Sequence, residues 1–141
     1  MPILPVQILS PGGRLPTRAH HDDAGLDFYL PRDVCLLGAS NLIPLGIAVA
    51  VPPGYVLVLK DRSGNACHKH LRIAAGVIDS GYRGELSVLV DCVGDCLTQH
   101  LTQGMRICQG LLLPIPVVEV EQVETLPPSS RGTGGFGSSG V

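Results

Sequence analysis

The sequence predicts an all-β protein, and three observations lead to that prediction. Eighteen Gly and twelve Pro make up about a fifth of the 141 residues, well above the usual share of these turn-forming residues. Short runs of alternating or β-branched residues lie between Gly- and Pro-containing turns at close intervals. No stretch of useful length has the 3.6-residue apolar period of an amphipathic helix. Together these features favour a barrel or a sandwich of short strands.

The strands follow in chain order from the apolar and β-branched runs. They are expected over residues 3–9, 24–30, 34–37, 41–51, 55–60, 77–78, 86–92, 105–113 and 115–123, and residues 71–75 are expected to lead into the segment 77–78. Turn signals such as Pro11-Gly12-Gly13 and Pro52-Pro53-Gly54 separate them. The polar segment 61–70 is predicted to hold one short helical turn.

Residues 76–86, GVIDSGYRGEL, combine turn chemistry with candidate functional groups. Val77-Ile78 and residues 86–90 are predicted as the two arms of a hairpin that Ser80-Gly81 closes. Asp79 and Tyr82 flank this turn. Because a turn needs neither a carboxylate nor a phenol to close, the pair indicates a ligand pocket.

Length and composition set further bounds. A chain of 141 residues is one domain by length and buries about two-thirds of its unfolded surface. Its 45% hydrophobic content with only 4% aromatic residues predicts an aliphatic core. The net charge of −2, without a basic run, argues against nucleic-acid binding. No apolar run reaches the ~18 residues of a membrane span. Because no targeting segment is visible either, a cytoplasmic or nuclear location is expected.

Five cysteines without a CxxC pair predict reduced and mostly buried thiols. The alternative is a metal cluster of Cys92, Cys96 and His100. That spacing is not the spacing of a usual zinc site, and it has no second ligand pair.

The segment 131–140, RGTGGFGSSG, has two interpretations. Its Gly and Ser content alone favours a disordered tail. A flexible linker has no need of Arg131 or Phe136, however. Glycine-rich backbone can wrap on phosphates, Arg can pair with them, and Phe can stack on a base. The segment is therefore also a candidate lid that orders over a nucleotide.

Three further stretches carry polar residues whose roles stay open on the sequence alone. Arg62-Ser63-Gly64 is a plausible phosphate cradle, although Arg62 could equally be a surface or ion-paired residue. Gln109 lies in an apolar strand and is either a structural amide or a ligand contact. Asp27, in the same situation, is either a turn-capping or ion-paired carboxylate or part of a site.

These stretches together resemble the trimeric deoxyuridine triphosphate nucleotidohydrolases, the dUTPases. All five ordered motifs of that family are present, and the resemblance spans nearly the whole chain. They are AGLDFYL (24–30), RSGNA (62–66), GVIDSGYRGEL (76–86), GMRICQGLLLP (104–114) and RGTGGFGSSG (131–140). Each motif is weak evidence by itself, but five in order, with the second-to-third spacing also matching, are highly specific.

The resemblance implies an all-β subunit of distorted jelly-roll or β-clip type with a flexible Gly-rich C-terminal arm. Residues 1–126 would form the jelly-roll domain and residues 127–141 the arm. It also implies a homotrimer with active sites shared between subunits. The implied reaction is the hydrolysis of dUTP to dUMP and pyrophosphate with Mg²⁺, which removes dUTP and supplies dUMP for dTMP synthesis.

The resemblance also assigns roles to the residues of the hairpin and of the lid. Asp79 would orient the water that attacks the α-phosphorus, and Tyr82 would pack on the deoxyribose. The backbone of Ala75, Gly76 and Val77 would pair with the uracil edge. In the lid, Arg131 and Ser138 or Ser139 would hold the γ-phosphate, Phe136 would cover the uracil, and Gly137 would contact substrate.

The remaining implied contacts concern the triphosphate and its metal. Ser63 and Gly64 would bind phosphate oxygens with Arg62 supporting their loop, and Gln109 would contact the phosphate chain. Asp27 would reach the metal through water. Arg106 is expected to be structural or electrostatic.

The sequence departs from the family pattern at two positions of the second motif. Asp61 stands where Pro or Gly is usual, and Asn65 stands where an apolar residue, often Leu, is expected. Both are expected to weaken phosphate affinity or loosen local packing. The alternatives to a dUTPase are a non-catalytic or moonlighting binding protein on the same fold, a dCTP deaminase-like relative, and an inactive β domain.

Overall fold

The computed structural model describes residues 1–38, 40–94 and 98–134 of the chain. The described residues form ten strands and one short helix, which confirms the predicted all-β class. The elements are β1 (Val6–Ile8), β2 (Gly25–Tyr29), β3 (Val34–Leu37), β4 (Asn41–Val49), β5 (Tyr55–Lys60), α1 (Ser63–His68), β6 (Leu71–Ala74), β7 (Val77–Ile78), β8 (Glu85–Cys92), β9 (Thr98–Leu101) and β10 (Arg106–Pro114).

The strands form two four-stranded antiparallel sheets and one two-stranded ribbon. The first sheet has the order β1-β4-β8-β6, the second has the order β2-β10-β5-β7, and β3 pairs with β9. From β4 to β8 the chain alternates strictly between the two large sheets. The first, third and fourth motifs nevertheless contribute β2, β7 and β10 to the second sheet, where β10 lies beside β2, so the sequence order of the motifs does not give their spatial order.

One hydrophobic core lies between these sheets. Its buried members alternate along each strand, for example Leu86, Val88 and Val90 on β8 and Leu57 and Leu59 on β5. This is the period-2 pattern of a strand with one face turned toward the core. The core is aliphatic apart from Phe28 and the edge of Tyr29, as the composition predicts.

The predicted strand bounds agree best where turn signals enclose an alternating run. The prediction is exact for β3, β5 and β7, and it is within two residues for β2, β4, β8 and β10, whereas β6 was expected only as a lead into the hairpin. Segment 61–70 contains α1, as expected. The strand predicted over 3–9 is shorter, and β9 was not predicted at all, because its sequence TQHL has no apolar alternation.

The predicted hairpin between residues 77–78 and 86–90 is wrong. Ser80 and Gly81 do form a turn, but β7 pairs with β5 in the second sheet. β8 instead pairs with β4 and β6 in the first sheet. The turn chemistry was correctly recognised, yet the strands on its two sides belong to different sheets. Residues 75–84 form the loop between the hydrogen-bonded strands β6 and β8.

The strand predicted over residues 115–123 is also wrong in this chain. Residues 115–123 are extended without strand pairing, and Val117 and Val120 are 93% and 91% exposed. Valines recur along the segment, but no strand among the described residues pairs with it.

The cysteines are reduced but less buried than predicted. Of the four within the described residues, Cys108 is buried, Cys92 is partly buried, and Cys35 and Cys67 are exposed. No group of three or more His, Cys, Asp or Glu side chains suited to a metal occurs among the described residues. The alternative cluster includes Cys96, which lies outside the described residues. No helix in the described part of the chain is long and apolar enough to cross a membrane.

Candidate active site

A polar cleft of about 400 Å³ lies where the first, second and fourth motifs meet. Its lining residues are Ala19, Asp23, Ala24, Gly25, Asp27, Arg62, Ser63, Gly64 and Gln109. The cleft exists because β10 lies between β2 and β5 in the second sheet. Gln109 lies opposite Asp27 on one side and opposite Lys60 on the other. Residues 61–65, which we call the Arg62 loop, follow directly after β5 and include the start of α1. We call this site the polar cleft.

Asp27 is the electrostatic centre of the polar cleft. Its carboxylate is only 11% exposed, and Arg62 Nε donates to its Oδ1 over 2.7 Å. Arg106 Nη1 lies 3.5 Å from the other oxygen, Oδ2. Two guanidinium groups therefore pair with one carboxylate, which holds both of them beside the cleft. The position of Arg106 agrees with the electrostatic role expected for it.

Gln109 is held in a fixed orientation by its neighbours. Its Nε2 donates to the backbone oxygen of Asp61 over 2.8 Å, which leaves the amide oxygen turned toward β2. A Cβ at Gly25 would lie 2.4 Å from that oxygen. Glycine at this position therefore makes room for the Gln109 amide.

Cys108 lies behind the cleft and is fully buried. Burial, and secondarily the nearby Asp27 carboxylate, raises the pKa of the Cys108 thiol from 9.0 to about 12, although Arg62 partly opposes the rise. The thiol therefore stays protonated at neutral pH and acts as a small apolar side chain rather than as a nucleophile.

A second cleft, of about 320 Å³, contains the loop of the third motif. Its lining residues are Leu42, Val77, Ile78, Asp79, Tyr82, Glu85 and Ser87. Val77 is 68% exposed and Tyr82 45% exposed, so an apolar surface lies beside an exposed carboxylate. We call this site the turn cleft. It has the mixed apolar and polar character expected for a base and a sugar.

The turn that carries Asp79 and Tyr82 is braced by its own neighbours. Tyr82 N–H donates to Asp79 O, and Arg83 Nη1 donates to Ser80 O and Tyr82 O over 2.7 Å each. The Tyr82 hydroxyl donates to Glu85 O over 3.0 Å. These bonds fix the direction in which both functional side chains project.

The backbone that precedes the turn has an unusual conformation. Ala75 and Gly76 both have positive φ angles, 65° and 140°. Gly76 O accepts a hydrogen bond from Leu59 N over 2.8 Å, so this kink lies directly against β5. It carries the chain from β6 in one sheet to β7 in the other.

Substitution of Gly76 by Ala is expected to destabilise this backbone selectively. A Cβ there would lie 2.8 Å from Leu59 O, and the positive φ adds strain of about 1–3 kcal/mol. Gly81→Ala is the matched control, because a Cβ at Gly81 meets nothing within 4 Å. The expected result is a lower urea midpoint and weaker nucleotide binding for Gly76→Ala only. Equal midpoints for the two variants would contradict the inferred strain.

The single chain does not bring all the predicted site residues together. Asp27, Arg62, Ser63, Gly64 and Gln109 line the polar cleft, whereas Val77, Asp79 and Tyr82 line the turn cleft. The two clefts share no lining residue. Arg131 is exposed and donates from Nε to Gly134 O. Phe136, Gly137, Ser138 and Ser139 lie outside the described residues.

Sequence comparison now identifies the family. A family profile described as dUTPase matches residues 12–140. The chain belongs to the dUTPase family. A relative named deoxyuridine 5'-triphosphate nucleotidohydrolase, from Nocardia farcinica, is 42% identical over 97% of this chain and 85% of its own length. The family predicted from the five motifs is thus confirmed, and so is its class of hydrolase.

Solved structures of the family share the fold. The dUTPase of Staphylococcus bacteriophage 80alpha with dUPNHPP has a TM-score of 0.92 and 34% identity, with both chains fully covered. A variant dUTPase from phage phi11 of S. aureus, described with a structural Mg(II) ion, has a TM-score of 0.80 and 30% identity. That match covers 88% of this chain and 98% of the phage chain. The predicted jelly-roll type of fold is confirmed by this similarity.

Sequence reasoning missed the residues that hold the site in shape. Arg83 and Glu85 brace the turn, while Asp61 and Asn65 make hydrogen bonds around the Arg62 loop. Glu85 Oε1 accepts a bond from Gly46 N–H and so ties the turn to β4. The only sequence signal for the second pair is that both positions depart from the family pattern.

Proposed function

We propose that this protein hydrolyses dUTP to dUMP and pyrophosphate, with the triphosphate in the polar cleft and the nucleoside in the turn cleft. The observation that carries the proposal is the division of the motif residues between these two clefts. One cleft has a guanidinium group, a hydroxyl and an amide, and the other has an apolar wall and a carboxylate. A nucleotide needs both environments.

Asp79 is the proposed catalytic residue. Its carboxylate is exposed to solvent and lies on the braced turn, so it can accept a hydrogen bond from a water. Such a water, held in line with the bond to be broken, attacks the α-phosphorus, and the leaving group is pyrophosphate. The protein contributes position and electrostatic stabilisation rather than a covalent step.

Base and sugar selection are proposed to come from the same loop. The backbone of Ala75, Gly76 and Val77 would pair with uracil, whose donor and acceptor at positions 3 and 4 are swapped in cytosine. Each mispaired buried contact costs about 1–3 kcal/mol. Tyr82, fixed by its bond to Glu85 O, would lie against the deoxyribose and exclude a 2′-hydroxyl.

Phosphate binding is proposed for the Arg62 loop, Gln109 and the C-terminal arm. Ser63 and Gly64 are exposed at the cleft, where a hydroxyl and backbone N–H groups can donate to phosphate oxygens. Arg62 is oriented by Asp27. Arg131, with Phe136, Gly137 and Ser138 or Ser139, would close over the bound nucleotide. We also propose that residues 1–126 form the folded domain and residues 127–141 this arm.

The polar cleft suits Mg²⁺ bound together with a triphosphate. Its protein donors are hard oxygens, including the Asp23 and Asp27 carboxylates and the Gln109 amide. Magnesium in nucleotide sites keeps several waters and uses few carboxylates besides the phosphates. Asp27 would contact it through water, because its oxygens already accept from Arg62 and Arg106. When bound, Mg²⁺ neutralises charge on the phosphates.

We further propose that the protein acts as a homotrimer with shared sites. The motif residues are divided between two clefts with no lining residue in common, which favours a nucleotide bound between clefts of different subunits. The unpaired segment 115–123 and its exposed valines also leave apolar surface for another copy to cover.

A nucleotide panel tests the proposed function. Pyrophosphate release is expected from dUTP with Mg²⁺ and only slowly from dCTP, dTTP and UTP, and it should fall on chelation of the metal. Release is measured for each nucleotide at equal concentration, alongside the mass of the protein in solution. Equal turnover of all four nucleotides would overturn the proposed specificity, and ammonia release from dCTP would indicate a deaminase instead.

A further inference from the structure

Asn65 fastens helix α1 to an irregularity in β10. The register between β10 and β2 shifts between Arg106 and Cys108, so Ile107 is an extra residue. Such a bulge disrupts the ladder and turns the strand and its side chains. Asn65 Nδ2 donates to the carbonyl oxygens of Arg106 and Ile107 over 2.8 and 3.0 Å. Both amide protons of this 7% exposed side chain are therefore used.

This bulge determines where two cleft residues lie. Arg106, on the bulge, places Nη1 3.5 Å from Asp27 Oδ2. Gln109 lies three residues further along β10 and lines the cleft. By fixing the bulge, Asn65 couples the position of α1 to the charged side chains behind the cleft.

Asp61 holds the N-terminal end of the Arg62 loop against the first sheet. Its Oδ1 accepts from Ile73 N over 2.9 Å, and β6, which carries Ile73, is the edge strand of the first sheet. Its backbone oxygen accepts from Gln109 Nε2, as described above. The Asp61 side chain thus satisfies an edge N–H and bridges the two sheets.

Between these anchors, Ser63 and Gly64 remain exposed at the cleft. We propose that Asp61 and Asn65 are positioning residues that hold this loop in its phosphate-binding shape. They would set the affinity for the triphosphate rather than for the nucleoside. This inference rests on the proposed function. It gives the two residues that depart from the family pattern a role, which is to anchor the loop.

The substitutions separate anchoring from charge. Asn65→Leu removes both donors at similar side-chain volume and leaves the carbonyl groups of Arg106 and Ile107 without these hydrogen bonds. Asp61→Ala removes the acceptor for Ile73 N–H. Asp61→Asn keeps an acceptor oxygen and removes only the charge, so it should restore wild-type behaviour. Cys67→Ser is the control, because Cys67 is exposed on the same helix and does not line the cleft.

The measurement compares two ligands for each variant, by calorimetry, with thermal melting to check folding. The ligands are dUMP and the non-hydrolysable analogue dUPNHPP with Mg²⁺. Asn65→Leu and Asp61→Ala are expected to lower the affinity for the analogue about tenfold to a hundredfold, because each leaves polar groups without a hydrogen-bond partner. Affinity for dUMP, which lacks the β- and γ-phosphates, should change far less. In kinetics, KM for dUTP should rise more than kcat falls.

Three results would overturn the inference. The first is wild-type affinity for the analogue in both Asn65→Leu and Asp61→Ala. The second is an equal loss of affinity for dUMP and for the analogue. The third is an affinity for the analogue that is as low in Asp61→Asn as in Asp61→Ala. If Asn65→Leu fails to fold, the Asp61 pair still decides between anchoring and charge. If the wild-type protein neither binds dUPNHPP nor hydrolyses dUTP, the proposed function itself has failed, which is a separate outcome.

Discussion

Asp79→Asn is expected to lower kcat for dUTP by about 10²- to 10⁴-fold, the range that a positioned general base contributes. Asparagine has nearly the same shape but does not accept a proton from water. The turn should be unchanged, because its bracing bonds come from Tyr82 N–H, the Tyr82 hydroxyl and Arg83, not from the Asp79 carboxylate. Binding of dUPNHPP should therefore be retained.

The measurement is single-turnover hydrolysis together with equilibrium binding of the analogue. Asp22→Asn serves as the control carboxylate, since Asp22 is exposed, pairs with His21 and lies outside both clefts. Wild-type kcat in Asp79→Asn would remove Asp79 from the proposed mechanism. The same variant tests for a second, non-catalytic role, because a cellular function that survives the loss of hydrolysis cannot depend on turnover.

The strands that sequence reasoning located correctly are those whose core contacts are encoded locally. In β5, the alternation of Leu57 and Leu59 with less buried residues, between a Pro-Pro-Gly turn and a polar loop, is enough to define the strand. β9 is held by pairing with β3, with Cys35 opposite His100 and Leu36 opposite Gln99. That pairing depends on the tertiary structure, and the mostly polar sequence of β9 gives no local sign of it.

Pairing partners are the part of the fold that local patterns left open. Ser80 and Gly81 form a turn, but Gly76 turns the chain before it, so that β7 reaches β5 instead of β8. Segment 115–123 is rich in valine, as strands often are, yet in the described part of the chain no strand pairs with it. A hydrophobic pattern indicates which face of a strand can be buried, but the strand with which it pairs depends on the rest of the molecule.

The same limit applies to the candidate site. The motifs identified the residues that line both clefts, because their chemistry is unusual for apolar strands. They did not show that Asp27 binds two arginines, nor that Asp61 and Asn65 anchor the loop between them. Those contacts depend on a bulge in β10 and an edge in the other sheet, which no single motif contains.

Deletion of residues 129–141 is expected to lower hydrolysis of dUTP by orders of magnitude without unfolding the protein. In the described part of this segment, Gly132 N–H donates to Ser129 O and Arg131 Nε donates to Gly134 O, so these bonds stay within the arm. Thermal stability should therefore match that of the full chain, and the mass in solution should fall only by the mass of the deleted residues. An arginine that stabilises phosphoryl transfer contributes about 10³- to 10⁵-fold in kcat, which sets the scale of the loss.

Two controls separate the chemistry of the arm from its mere presence. Arg131→Ala in the full-length chain should reproduce a large part of the kinetic loss, because it removes the guanidinium and keeps the Gly-rich backbone. Glu124→Gln, an exposed change just before the deleted segment, should behave as wild type. An unchanged rate after deletion would mean that the two clefts are sufficient without a lid. A large loss in the deletion with none in Arg131→Ala would instead assign the effect to the residues after Arg131, with Phe136 as the next substitution to make.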